Sequence, residues 1–261
     1  MKQLFYFLFI FSLISCGGND SLNEDIPQNN PSDLEPKKIL TYLAEMPVST
    51  GFNPDWYYEF FYENGRLRRM NGRLSKVDTG SSSYYFFDND KQTNITYTAN
   101  QATVQYDEPQ NGIKKIVYSF QNSKLIKAEI YNTQDEVYQI KNYSYQNNKI
   151  LIHTKWYTWD TYETYFFDAN QNLEKSEKLH LSNSIETKLT TTYYMNFDQS
   201  ENPYKKLYLM NDNFFVKSLS KNNYRKISYV VQDLQNPQYT PGSGQSEWTY
   251  QYSSTGQVIL Y

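Results

Sequence analysis

Tyr118-Ser119-Phe120-Gln121-Asn122-Ser123-Lys124-Leu125 is followed further along by Tyr143-Ser144-Tyr145-Gln146-Asn147-Asn148-Lys149-Ile150. In each stretch two aromatics flank a polar residue, a polar turn former comes next, and a Leu or Ile closes the unit. Successive side chains of a strand point to opposite faces, so both aromatics line one side. Asn beside a small or polar neighbour suits a tight reversal, after which the Leu or Ile opens a return strand. The unit reads as a β-hairpin.

The same pattern recurs at Phe60-Phe61-Tyr62-Glu63-Asn64-Gly65-Arg66-Leu67, at Tyr165-Phe166-Phe167-Asp168-Ala169-Asn170-Gln171-Asn172-Leu173 and at Tyr250-Gln251-Tyr252-Ser253-Ser254-Thr255-Gly256-Gln257-Val258. A weaker copy is Tyr85-Phe86-Phe87-Asp88-Asn89. Asn64-Gly65, Asn71-Gly72 and Asn111-Gly112 are the strongest turn dipeptides available to such hairpins. Between Lys37 and Tyr261 no segment carries helical periodicity. Leu40, Tyr42, Ala44 and Met46 alternate with polar positions and predict a strand there too. Ser246 to Tyr261 predicts a last hairpin that turns at Ser253 to Gly256.

The expected fold is therefore all-β: one domain over residues 37–261, a long antiparallel meander of about fourteen to eighteen strands. Accumulated twist leaves the sheet open or curls it toward a half-barrel. A closed barrel is the structural alternative, encouraged by the terminal Tyr261. Against it, Lys127 and Glu129 on one face and Lys124 on the other leave no lipid-facing alternation.

Composition bounds the function. The chain has 261 residues and a net charge of -3, which gives no electrostatic footprint for nucleic acid. Aromatics are its excess, with 27 Tyr, 15 Phe and 4 Trp. A tyrosine ring can be buried while its hydroxyl stays wet, which suits thinly covered sheets.

The first fifteen residues carry Lys2, then an apolar run from Leu4 to Ile14. About a dozen residues make a signal-peptide core but fall short of a membrane span. Leu13-Ile14-Ser15-Cys16 resembles the bacterial lipobox, and Cys16 is the only cysteine in the chain. The resemblance implies acylation at Cys16 and a membrane partnership through the acyl chains, more than the roughly two signals stable anchoring needs. Residues 17–36 contain five acidic residues, no basic one and few apolar side chains, which predicts a disordered tether. An acidic stretch after the lipidated cysteine also resembles the surface-export signal of Bacteroidetes-type lipoproteins. The expected address is the cell envelope, at the outer membrane, with its face left open.

The aromatic-turn units resemble the YD-type repeats of bacterial surface and toxin-shell proteins, with Phe87-Asp88 and Phe167-Asp168 placing Asp as that pattern does. Lipobox, tether and Tyr-rich hairpins together resemble β-rich lipoproteins of Bacteroidetes, as do Asn202-Pro203-Tyr204-Lys205-Lys206-Leu207 and Leu219-Ser220-Lys221-Asn222-Asn223. The resemblance implies an extended or curled antiparallel sheet and no activity.

Two clusters are candidate binding residues. Trp156, Tyr157, Trp159, Tyr162 and Tyr165 surround an expected turn at Thr158 to Thr161, with Trp159 expected to be exposed. Flat rings there stack on sugars or grip a peptide, or else pack across strands. Arg66, Arg68, Arg69 and Arg73 are four of the chain's five arginines. They suit an acidic glycan or phosphate, or a solvated edge strand that uses charge against mispairing. His153 and His180, the only histidines, have neither metal-ligand nor nucleophile–base spacing. Asp168 to Asn172 begins like a calcium loop but lacks its Gly and closing Glu, so it and Asp88-Asn89-Asp90 read as turns. No cofactor motif is present: Gly242-Ser243-Gly244 lacks the helix and lysine of a phosphate loop. The leading expectation is a non-catalytic envelope lipoprotein that binds a glycan, peptide or partner protein on an aromatic sheet face, or serves as a scaffold. The alternative is a carboxylate-based hydrolase of polysaccharide, for which no pair among Asp88, Asp107, Asp160, Asp168 and Asp198 stands out.

Overall fold

The computed structural model describes residues 34–45, 53–78, 80 and 83–261. Cys16, the expected signal segment 1–15 and most of the expected tether lie outside them. Fourteen strands form one sheet in which sequence neighbours are also spatial neighbours, all antiparallel. They are β1 (Lys38–Leu40), β2 (Tyr57–Glu63), β3 (Arg66–Asp78), β4 (Ser83–Tyr97), β5 (Gln101–Gln110), β6 (Ile113–Gln121) and β7 (Lys124–Asn132). The series continues with β8 (Val137–Gln146), β9 (Lys149–Trp156), β10 (Trp159–Phe167), β11 (Leu173–Ser182), β12 (Ile185–Met195), β13 (Lys226–Asp233) and β14 (Gly242–Glu247). A separate hairpin, β15 (Gln251–Tyr252) and β16 (Val258–Ile259), turns where the sequence places it. The expected meander is present, and the sheet is open: β1 and β14 do not pair with each other.

Turn chemistry fixes the register at four of the reversals. Asn64-Gly65, Asn111-Gly112, Asn122-Ser123 and Asn183-Ser184 all have positive φ at both positions, the conformation that matches strand twist. The repeated Leu or Ile after the turn is a core residue, with Leu67, Leu125, Ile150 and Leu173 all buried. Tyrosine hydroxyls from neighbouring strands secure two of these turns: Tyr97 Oη donates to Leu67 O at 2.9 Å, and Tyr145 Oη, from the second aromatic of a later copy, donates to Leu125 O at 2.8 Å.

Several local expectations are corrected. Asn71-Gly72 is no turn but a bulge within β3, where Gly72 has φ +103° and a Cβ would stand 2.4 Å from Phe87 Cζ. Asp88-Asn89-Asp90 lies inside β4, at the matching irregularity, and not in a turn. The arginines sit on β3, which pairs with β2 and β4, so they do not protect an edge. The chain is also not free of helix. After β1 it makes one turn, α1 (Thr41–Ala44), where a continued strand was expected.

A second helix, α2 (Asp212–Leu219), and a 3-10 turn at Lys205–Leu207 lie in the connection between β12 and β13. Asn211 caps α2 by accepting from Phe214 N at 2.9 Å. Phe214, Phe215 and Val216 are consecutive, so no amphipathic stripe announces the helix. This connection fills the concavity of the sheet. Phe214 meets Tyr58 and Phe60 of β2 at 5.9 and 5.7 Å, and Phe215 meets Tyr143 of β8 and Tyr165 of β10 at 5.8 and 6.0 Å. Tyr118 Oη donates to Leu209 O, and Tyr204 Oη to Leu43 O. The core is thus the inner sheet face wrapped around the chain's own insert, with Tyr204, Leu207, Leu209, Met210 and Phe214 fully buried. The final hairpin braces the seam between the sheet edges: Leu40 N donates to Leu260 O, and Ser200 Oγ to Gly256 O.

The convex face is charged, with pairs Lys127–Glu129, Lys175–Glu177, Lys38–Glu59 and His153–Asp160. No helix among the described residues is long and apolar enough to cross a membrane.

Candidate functional site

Beyond the insert, the concave face turns polar. Register places Lys141 opposite Thr154, Thr154 opposite Thr161, Thr161 opposite His180, His180 opposite Lys188 and Lys188 opposite Asp233. These residues form a row across β8 to β13 on the face that, nearer the insert, carries Ile150 and Ile152. Beside the row, Glu163 pairs with Lys178, and Lys141 pairs with Asp212 at 2.6 Å. Asp212 begins a buried helix, yet its side chain is 81% exposed. The concavity is therefore open to water at this end. It continues as a cavity of about 340 Å³ lined by Met70, Tyr106, Gln139, Lys141 and residues 210–213.

Charges in this groove are settled by their neighbours. Lys141 is pulled down by burial but lifted further by Asp212, and ends above the ordinary lysine value. The Lys141 ammonium in turn holds Asp212 below the ordinary carboxylate value. Asp233 is also lowered, by hydrogen bonds from Asn236 and the following backbone. His180 is lowered by partial burial and by Lys188 and Lys178, which leaves a neutral imidazole at pH 7.

The lip of the groove is aromatic. Trp156 and Trp159 face each other across the β9–β10 turn, 45% and 50% exposed. Strand alternation puts both on the concave side with Ile152 and Thr154. The turn itself is Tyr157-Thr158, one residue earlier than the sequence suggests, so Trp159 opens β10 instead of sitting in the turn. Its expected exposure holds. Tyr157 is the most exposed of the three at 73%, and has φ +49°. A bulky side chain in the left-handed region is uncommon and costs on the order of 1 kcal/mol. Tyr138 supports the lip edge-on against Trp156 at 6.1 Å. Tyr162 and Tyr165 do not join it: Tyr162 stacks on His153 at 4.4 Å on the convex face, and Tyr165 is core.

The arginine cluster lies at the other end of the strands, so the two candidate groups are not brought together. Arg66 and Arg68 stand over the same ring, Tyr97, at 5.4 and 5.9 Å. Burial pushes the Tyr97 phenol up to about 12, against the opposing pull of the two guanidiniums. Arg68 also donates to Glu63 at 2.7 Å. Arg69 lies over Phe61 at 4.2 Å on the convex side, and Arg73 is buried against Asp107 at 2.9 Å. Of the four, Arg66 lines a cavity of about 580 Å³ at this end. The polar concave row was missed by sequence reading. Its members are single polar residues on six strands, and only the register aligns them.

No family model matches the chain, and no curated protein matches it. Among solved structures, a porin-like protein from Bacteroides vulgatus is similar at 15% identity and TM-score 0.46, over 71% of this chain and 88% of that one. A porin-like protein from Bacteroides uniformis is similar at 12% identity and TM-score 0.35, over 74% of this chain and 88% of that one.

Proposed function

We propose that the protein is a non-catalytic, lipid-anchored binding protein of the cell envelope, held at the outer membrane through Cys16. In this reading the groove behind Trp156, Tyr157 and Trp159 takes a polar chain, a glycan before a peptide. The observation that carries it is the pairing of an exposed, backbone-strained aromatic lip with a polar row that runs from buried Thr154 through half-buried Thr161 and His180 to exposed Lys188 and Asp233. Rings offer flat faces to sugar carbons, while the row offers donors and acceptors to hydroxyls. Strain kept at an exposed Tyr is expected where the residue serves contact and not folding.

A hydrolase is the weaker reading. A glycosidase acid needs a carboxyl raised above its ordinary value. Asp212 and Asp233, the groove carboxylates whose pKa is displaced, are both lowered.

The test is retention of the purified body, residues 17–261, on immobilised envelope polysaccharide in affinity electrophoresis. Trp156→Ala with Trp159→Ala is expected to abolish retention without changing the fold. Tyr157→Asn is expected to weaken retention while raising stability by about 1 kcal/mol, since Asn tolerates the left-handed region. Undiminished retention of the double variant would overturn the assignment of the lip.

A further inference from the structure

The insert does not fill the concavity everywhere. Between residues 210–213 and strands β3, β5, β6 and β7 a cavity of about 340 Å³ remains, within the ~300–1,000 Å³ span of small-molecule sites. Two irregularities of the sheet lie at it. The β3–β4 register shifts between Asn71 and Arg73, and the β5–β6 register shifts between Gln105 and Gln110. Gly72, Arg73, Tyr106 and Gln110 all line the space. A bulge bends its strand and interrupts the ladder, so the wall here departs from the regular curve of the sheet.

The lining is sorted by polarity. Its depth is apolar, with Met70, Ile116, Ile130 and Met210 buried and Leu74 and Ile113 half-buried. Its mouth is polar, with Asn111 and Asp212 exposed. Each charged side chain of the lining is already engaged. Arg73 donates to Asp107 at 2.9 Å and Lys141 to Asp212 at 2.6 Å. The two oxygens of Glu45 accept from Tyr58 Oη at 2.7 Å and from Asn213 Nδ2 at 2.6 Å. Both cations of the lining therefore have an acidic partner, and an anionic head would compete with Asp107 or Asp212 for them. A neutral ligand meets no such competition.

The polar row of the groove starts at this wall. Register sets Ile116 opposite Ile130, and Ile130 opposite Gln139. Gln139 and Lys141, two apart on β8, share a face, and Lys141 is the first member of the row. Apolar cavity and polar row are thus one continuous surface.

We propose that the cavity receives the apolar tail of a neutral glycoconjugate, an alkyl or acyl chain carried by a glycan whose sugars lie on the polar row. This rests on the reading of the groove as a glycan site and adds what the glycan carries. Met70 and Met210 suit the role, because an unbranched thioether side chain refits around tails of different shape.

The probes are alkyl maltosides from hexyl to dodecyl, titrated calorimetrically into residues 17–261 below their micellar concentrations. Affinity is expected to rise about fourfold with each added methylene until the cavity is full, and then to level off. N-phenylnaphthylamine, which carries no sugar, is expected to gain fluorescence in the cavity. Decyl maltoside is expected to reverse that gain, and maltose or decanoate is not. Ile113→Trp, which fills the mouth from a half-buried position, is expected to abolish both the methylene increment and the probe signal. Leu74→Asn, which adds no bulk, is expected to weaken decyl maltoside at least tenfold. A series without the increment, an increment that survives both variants, or displacement of the probe by decanoate as readily as by decyl maltoside would overturn the proposal. The lip is read separately. Trp156→Ala with Trp159→Ala is expected to weaken every maltoside alike and to leave the increment and the probe signal unchanged. An increment in a protein that retains no polysaccharide would remove the glycan reading of the groove and keep the cavity, whereas polysaccharide retention with no increment would remove the cavity alone.

Discussion

At the residue scale the most unusual group is Lys217. It lies in α2, 4% exposed, with its ammonium 5.1, 5.6 and 5.2 Å from the rings of Tyr204, Tyr224 and Trp248. Burial lowers its pKa to about 7, and the charge of Glu45 offsets only part of that. The sign of the consequence is fixed by linkage. Between pH 7 and about 10 the native lysine is largely neutral while the unfolded one is protonated, so the unfolded chain binds more protons. Stability is therefore expected to rise with pH in that window, by up to about 1.4 kcal/mol per pH unit from this group. Above pH 10 the buried tyrosines reverse the trend. Their phenols are raised in the native state, so unfolding is favoured as free tyrosine ionises. Lys217→Met fills the same space without a charge. Urea denaturation from pH 6 to 10 is expected to show a flatter pH dependence and higher stability at pH 7 in the variant. An unchanged slope would mean that Lys217 is not the group responsible.

At the scale of elements, the strands were legible because aromatic, turn former and Leu recur in a fixed order. Leu67, Leu125, Ile150 and Leu173, read from the sequence as openers of return strands, all prove to be buried. What the repeat could not give were the departures from it. Asn71-Gly72 has the composition of a turn but serves as a bulge, because Phe87 crosses the strand where a side chain would stand. The helix α2 was invisible because it is only eight residues long and its apolar residues Phe214, Phe215 and Val216 are consecutive. The aromatic lip was half legible: its residues are adjacent in sequence, but their partners in the groove come from strands spread over β8 to β13. Arg68, Arg69 and Arg73 looked like one cluster with Arg66, yet alternation and bulges send them to Glu63, Phe61 and Asp107. The bulge makes a quantitative prediction. Gly72→Ala must accept both positive φ and the Phe87 ring, whereas Gly112→Ala must accept only positive φ, with open space around its Cβ. Thermal unfolding is expected to show Gly72→Ala losing about 1–3 kcal/mol more than Gly112→Ala. Equal losses would show that Phe87 moves aside without cost.

For the whole molecule, the main structural fact is that a fourteen-stranded meander curls around its own insert instead of closing on itself. An open sheet has edges to manage, and here the insert, the one-turn helix after β1 and the C-terminal hairpin gather at the seam. Ion pairs cover the convex face and apolar packing fills half of the concave one, an arrangement opposite to that of a lipid-embedded barrel, whose outer face is apolar. Under the proposed function, membrane attachment falls to Cys16, and the body is expected to place no strand in the bilayer. The most direct measurement is to export the body behind a cleavable signal with no acylated cysteine and to fractionate the cells. The expected result is a folded, β-rich protein in the soluble periplasmic fraction that stays monodisperse without detergent, while the Cys16-bearing chain stays with the membranes. Recovery of the cysteine-free body as a detergent-requiring membrane protein would contradict this account.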